Sequence, residues 1–126
     1  MTGRKKGFTL IELLVVMSVI ATLLTIAVPR YFQHLDRARE ASLRKSLAVM
    51  RDAVDKYRGD TGRYPETLEE LVSKRYLRKV PPDPITDSAD RWVLVPPPDE
   101  PGQRRVWDIR SGAEGQGKDG SDYSTW

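Results

Sequence analysis

The acidic residues are the main groups here that could do chemistry, because the chain has few others. It holds no cysteine and one histidine, His34. A thiol nucleophile, a thiolate metal site and a disulfide are excluded, and a histidine-ligated zinc centre lacks ligands. Glu12 is the sole charge in Phe8–Val28, an otherwise apolar run without glycine. A carboxylate so placed costs about 2.5–3.5 kcal/mol and needs a partner or a task. It can reach the interface on its own stem, or pair with a positive charge at the same depth. A cut between Gly7 and Phe8 would supply that charge as the Phe8 amine. Residues four apart on a helix direct the carboxylate sideways, so such a pair would form between neighbouring chains. A second acidic set, Glu114, Asp119 and Asp122, lies in the glycine-rich stretch Ser111–Trp126. Calcium takes roughly six to eight oxygens from carboxylates and carbonyls in a flexible loop, and glycines let a loop curl. The ligand alternation and terminal glutamate of an EF-hand are missing. The same residues also read as a solvated acidic tail.

These groups must be positioned by a chain of 126 residues and 14.3 kDa, one domain's worth. The apparent basicity (pI 9.3) resides in Arg4, Lys5 and Lys6, which leave 18 basic against 18 acidic residues in the rest. A nucleic-acid footprint is a basic face of the fold itself, and a net charge of zero outside the leader requires none, so no nucleic-acid partner is expected. As a helix, Phe8–Val28 would span about 31 Å, close to the bilayer core. Thr25–Pro29 is a poor version of a secretory cleavage site. Charge leaves the topology open, because Arg30, Arg37, Arg39, Arg44 and Lys45 follow the segment as Arg4, Lys5 and Lys6 precede it.

Pro29 is expected to kink or open the helix. Beyond it Tyr31, Leu35, Ala38, Leu43, Leu47, Met50, Val54 and Tyr57 recur at spacings of three and four, one face of an amphipathic helix. Arg37, Glu40, Arg44, Arg51, Asp52 and Lys56 form its solvated face. A heptad coiled coil fails because the phase slips between Ala38 and Leu43. Gly59–Gly62 stops the helix, and a short second helix runs from Glu66 to near Tyr76. Val80–Pro84 must be an extended turn. Two strands follow, Arg91–Val95 and Val106–Arg110, with Trp107 and Ile109 on one side and Val106 on the other. The small core comprises Val54, Tyr57, Tyr64, Leu68, Leu71, Leu77, Trp92, Leu94, Trp107, Ile109 and Trp126. The fold class is α+β, a long N-terminal helix on a small antiparallel sheet.

Gly7-Phe8-Thr9-Leu10-Ile11-Glu12, after a basic leader and before an apolar run, resembles the class III signal of type IV pilins and type II secretion pseudopilins. Tyr57, Gly62-Arg63-Tyr64-Pro65, Leu71, Pro82-Asp83-Pro84, Asp108-Ile109, Gly112-Ala113-Glu114-Gly115, Asp122 and Trp126 are similar to the G-type major pseudopilin. The resemblance implies a pilin-like fold in three parts: a cleaved leader 1–7, a membrane and filament-core helix 8–29, and a periplasmic domain 30–126. That domain divides into helix 30–58, a small α+β part 59–110 and a C-terminal loop 111–126. It further implies that a prepilin peptidase cuts between Gly7 and Phe8 and methylates Phe8, and that Glu12 acts in assembly. The N-terminus would face the cytoplasm from the bacterial inner membrane. The product would be a helical homo-oligomer, working with minor pseudopilins and an inner-membrane assembly platform to export folded proteins. A calcium ion held by Glu114, Asp119, Asp122 and the Ser111 carbonyl is implied as well. Glu114 departs from the usual aspartate, Ser121 interrupts the expected acidic pair, and Ile85–Trp92 replaces an aromatic stretch. The alternative is a type IV pilus subunit for adhesion, motility or DNA uptake, although such pilins often carry a C-terminal disulfide loop. A membrane-tethered enzyme is the third reading; no cleft-forming catalytic set is visible, and no enzyme activity is expected.

Overall fold

The computed structural model describes residues 7–126. Residues 1–6 of the expected leader lie outside the described residues. In order, the elements are α1 (Leu10–Thr61), α2 (Leu68–Ser73), β1 (Val93–Val95), β2 (Asp108–Arg110) and a closing 3₁₀ turn, Tyr123–Thr125. The chain forms two compact units, one ending at Asp36 and the other comprising Arg37–Trp126.

The first unit is the apolar part of α1. Helix starts at Leu10 because Thr9 caps it: the Glu12 N–H donates to Thr9 Oγ1 at 3.2 Å. Three hydroxyls sit in this apolar stretch without orphaned donors. Ser18 donates to the Leu14 carbonyl, Thr22 to Ser18 and Thr25 to Ala21, at 2.7–2.8 Å. Helical assignment continues through Pro29. The most apolar window has a mean hydropathy of 2.5 and none of it is buried, so by length and composition the helix can cross a membrane.

In the second unit α1 buries Leu43, Leu47, Met50, Ala53, Val54 and Tyr57, the three-and-four spacing of its apolar face. Thr61 donates its hydroxyl to the Tyr57 carbonyl, and Gly62 ends the helix at φ +76°, its N–H returning to the Arg58 carbonyl. α2 opens on a reciprocal cap. The Glu70 N–H donates to Thr67 Oγ1 at 3.1 Å, and Glu70 Oε2 accepts the Glu66 N–H at 2.8 Å. It stops at Ser73, short of Tyr76, because Arg75 takes φ +66° and the Tyr76 and Leu77 amides turn back onto the Leu71 carbonyl.

The Pro81–Pro84 turn is built around a buried carboxylate. Asp83 accepts the Ile85 and Thr86 N–H groups at 2.8 and 3.4 Å and the Ser111 hydroxyl. Trp92 is fixed beside it, donating from Nε1 to the Pro81 carbonyl at 2.8 Å. β1 and β2 pair antiparallel, with Val93 opposite Arg110, Leu94 opposite Ile109 and Val95 opposite Asp108.

Two core assignments differ from expectation. Leu94 and Trp107 are 42% and 40% exposed, whereas Val106 is buried. Both exposed residues sit where the two-stranded sheet opens into the 96–106 loop. The Val106 N–H bonds the Pro65 carbonyl at 2.7 Å, which turns Val106 into the core in place of Trp107.

Candidate functional site

At the N-terminal end, Gly7, Phe8 and Thr9 precede the helix in irregular backbone, so the Gly7–Phe8 bond lies outside hydrogen-bonded structure. Phe8 and Glu12 are exposed and line one open cavity of about 470 Å³ with Ile11, Val15 and Val16. Thr9, which caps the helix, was readable in the sequence as a threonine three residues before a glutamate. The arrangement places one exposed carboxylate among apolar side chains.

At the other end the C-terminal segment is ordered by contacts with α1. Glu40 Oε1 accepts the Lys118 N–H at 3.0 Å and the Tyr123 hydroxyl at 3.2 Å. The Arg44 guanidinium lies 3.9 Å from the centre of the Trp126 ring. Arg51 is the most engaged of the three. Its Nε donates to Asp108 Oδ1 at 2.8 Å, and its Nη2 donates to the backbone oxygens of Ile109 and Trp126 at 2.9 and 2.6 Å. Glu40, Arg44 and Arg51 are therefore not a merely solvated face. A Cβ on Gly117 would fall 2.3 Å from the Trp126 ring, so glycine is required for this close approach.

The expected metal residues separate into two groups. Ser111, Glu114 and Asp122 line one cavity of about 370 Å³ with Val93, Gly112, Ala113, Gly115 and Ser124. Among the described residues the Glu114 and Asp122 carboxylates make no hydrogen bond or ion pair. The Ser111 hydroxyl is occupied, donating to Asp83 and accepting the Ala113 N–H at 3.1 Å, which leaves its carbonyl for a ligand. Asp119 does not line this cavity. Its Oδ1 accepts the Ser121 N–H and hydroxyl at 3.0 and 2.6 Å, and its Oδ2 meets Arg44 Nη2 at 3.4 Å. The Ser121 hydrogen bonds hold the Asp119 carboxyl below its ordinary value. Among the described residues no three acidic, histidine or cysteine side chains converge as a metal cluster. Two free carboxylates beside a carbonyl still suit a hard, oxygen-seeking cation completed by water.

Comparison with known proteins identifies both ends. The prokaryotic N-terminal methylation motif matches residues 2–28, and type II secretion system (T2SS), protein G, matches residues 30–125. The chain belongs to the type II secretion system protein G family. Relatives named type II secretion system core protein G match it almost end to end. The Escherichia coli K12 protein is 28% identical over 99% of this chain and 93% of its own length. The Klebsiella pneumoniae protein is 30% identical over 98% and 95%, and the Pseudomonas aeruginosa protein 29% over 98% and 96%. No solved structure matches the chain. Membership of this family decides for the secretion pseudopilin over the type IV pilin, and for a structural subunit.

Proposed function

We propose that the chain is processed between Gly7 and Phe8, methylated on Phe8, and held by its apolar helix in the bacterial inner membrane until it polymerises into the secretion pseudopilus. The N-terminus faces the cytoplasm and Arg37–Trp126 the periplasm. Prepilin peptidase, minor pseudopilins and an inner-membrane assembly platform are its partners, and export of folded proteins is the outcome. The role is mechanical, and no catalytic step is assigned to the chain.

One observation carries the reading: an exposed carboxylate on a helix whose most apolar window is wholly unburied. Such a surface must be covered by lipid or by other helices. Lipid leaves Glu12 without a partner, whereas a neighbour's Phe8 amine neutralises it. Neutralisation draws the subunit from lipid into the filament, and a head-to-tail contact that does not close yields a filament. Glu12→Ala should insert as the wild type does and fail to form filaments. Wild-type filament yield from that variant would refute the pairing.

We further assign calcium to the cavity of Ser111, Glu114 and Asp122, with Asp119 as a structural residue of the loop. The metal, when bound, supplies positive charge that links the two carboxylates. The chain itself fixes the loop against α1 through Glu40, Arg44 and Arg51.

A further inference from the structure

Arginine recurs along α1 at every seventh residue: Arg30, Arg37, Arg44, Arg51 and Arg58. Seven residues fall just short of two turns, so such a series stays near one helix face. Three of its members serve the chain's own domain. Arg44 and Arg51 hold the C-terminal segment, and Arg58 lies 5.0 Å from the centre of the Tyr64 ring.

Arg30 has no such use. The residues three and four positions away are Ile26, Ala27, Gln33 and His34, none acidic, so no ion pair can form along the helix. The ion pairs among the described residues involve Arg44, Arg51, Lys56 and Arg105. Arg30 directly follows the apolar run and Pro29, and two aromatics come next. Tyr31 and Phe32 are 65% and 57% exposed, their rings in edge contact at 5.8 Å. From Pro29 to Arg39 there are three arginines and one acid, Asp36.

We propose that Arg30, with Tyr31 and Phe32 beside it, docks on anionic phospholipid headgroups in the leaflet where the span ends. The proposal rests on reading Phe8–Val28 as a membrane span. Amphipathic rings favour the headgroup level, and an arginine stem runs along apolar surface while its guanidinium forks onto a phosphate. An acidic face of a neighbouring copy would satisfy the arginine and give the exposed rings nothing to do. The contact fixes the depth of the waiting subunit, and it must break when the helix leaves lipid for the filament.

The test uses the full chain reconstituted in phosphatidylcholine vesicles doped with phosphatidylglycerol, then analysed by native mass spectrometry for retained lipid. Enrichment of phosphatidylglycerol on the wild type is expected, falling about fivefold in Arg30→Gln, as one arginine near an anionic surface warrants. Arg44→Gln should keep the enrichment. Equal enrichment in Arg30→Gln overturns the proposal, as does displacement of the lipid by excess inorganic phosphate, which would mark a plain phosphate site. Because the chain lacks cysteine, a spin label on His34→Cys gives a second readout. Label-to-label coupling between copies, unaffected by phosphatidylglycerol, would assign the arginine to a neighbouring chain and also overturn it. Carbonate extraction scores insertion separately: a chain that washes off refutes the span and the docking together, whereas insertion without lipid preference refutes the docking alone.

Discussion

Replacing Arg51 with alanine isolates what holds the C-terminal segment to α1. Three hydrogen bonds are lost, to Asp108 Oδ1 (2.8 Å), the Ile109 carbonyl (2.9 Å) and the Trp126 backbone oxygen (2.6 Å). Bonds to a charged group contribute roughly 1.5–3 kcal/mol each, but three that share one guanidinium do not add. The Arg51 and Asp108 side chains are 35% and 21% exposed, which places the pair at the weaker end. Asp108 also keeps one partner, the Ile109 N–H at 2.8 Å, so its carboxylate is not stranded. The loss should come to about 2–3 kcal/mol. For a unit the size of Arg37–Trp126, 1 kcal/mol corresponds to about 4–8 °C, so Tm should fall by about 10–20 °C. Tryptophan fluorescence of the detergent-solubilised chain reads this directly, because Trp92, Trp107 and Trp126 all lie in that unit. Arg44→Ala is the control. Its ion pair is well exposed and its ring contact modest, so it should cost under about 1 kcal/mol. A melt of Arg51→Ala indistinguishable from wild type, or an equal loss from Arg44→Ala, would refute the reasoning.

The Tyr57 hydroxyl, followed by the Glu66 amide, holds the Glu70 carboxyl below its ordinary 4.5. A depressed folded pKa means stability that is present above pH 4.5 and lost as pH falls through the folded value. Glu70→Gln should therefore melt below wild type at neutral pH and converge with it in acid; a constant gap would refute the assignment. Asp83→Ala strands two half-buried amides and the buried Ser111 hydroxyl, at a cost of about 3 kcal/mol in urea unfolding. A loss as small as a surface substitution would contradict that account. Calcium at a hundred times its dissociation constant should add about 2.7 kcal/mol, raising the wild-type melt. Asp119→Asn should keep the response, whereas Glu114→Gln and Asp122→Asn should lose it. A response kept by Asp122→Asn and lost by Asp119→Asn would move the site.

The long helix was legible because its apolar period is strong. Leu43, Leu47, Met50, Val54 and Tyr57 declare one face, and Gly62 declares the end. The end of α2 was not, because Arg75 adopts a left-handed conformation that the residue type gives no warning of. Trp107 and Val106 exchanged roles for a similar reason. Regular strand covers Asp108–Arg110 alone and buries Ile109 as alternation predicts. Val106 and Trp107 precede it, and there a long-range bond from Val106 to the Pro65 carbonyl decides which side chain is covered. At the sites, Gly7, Phe8 and Glu12 could be named from a contiguous motif. The separation of Asp119 from Glu114 and Asp122 depends on Ser121 and Arg44. The Arg44 contact spans 75 residues and leaves no local signature.

The seven-residue recurrence from Arg44 to Arg58, interleaved with the buried face, restricts how this part of the chain can evolve. A single inserted or deleted residue between Arg44 and Arg51 would turn everything beyond it by about 100° and shift it by about 1.5 Å. Tyr57 would leave the core, and Arg51 would point away from Asp108. Among short insertions or deletions, a seven-residue block is the smallest that keeps both faces in phase to within about 20°. Point substitutions can accumulate along this helix, but its length here is effectively frozen. Divergence in size between descendants of this gene belongs in the 96–106 loop, where no such phase has to be kept.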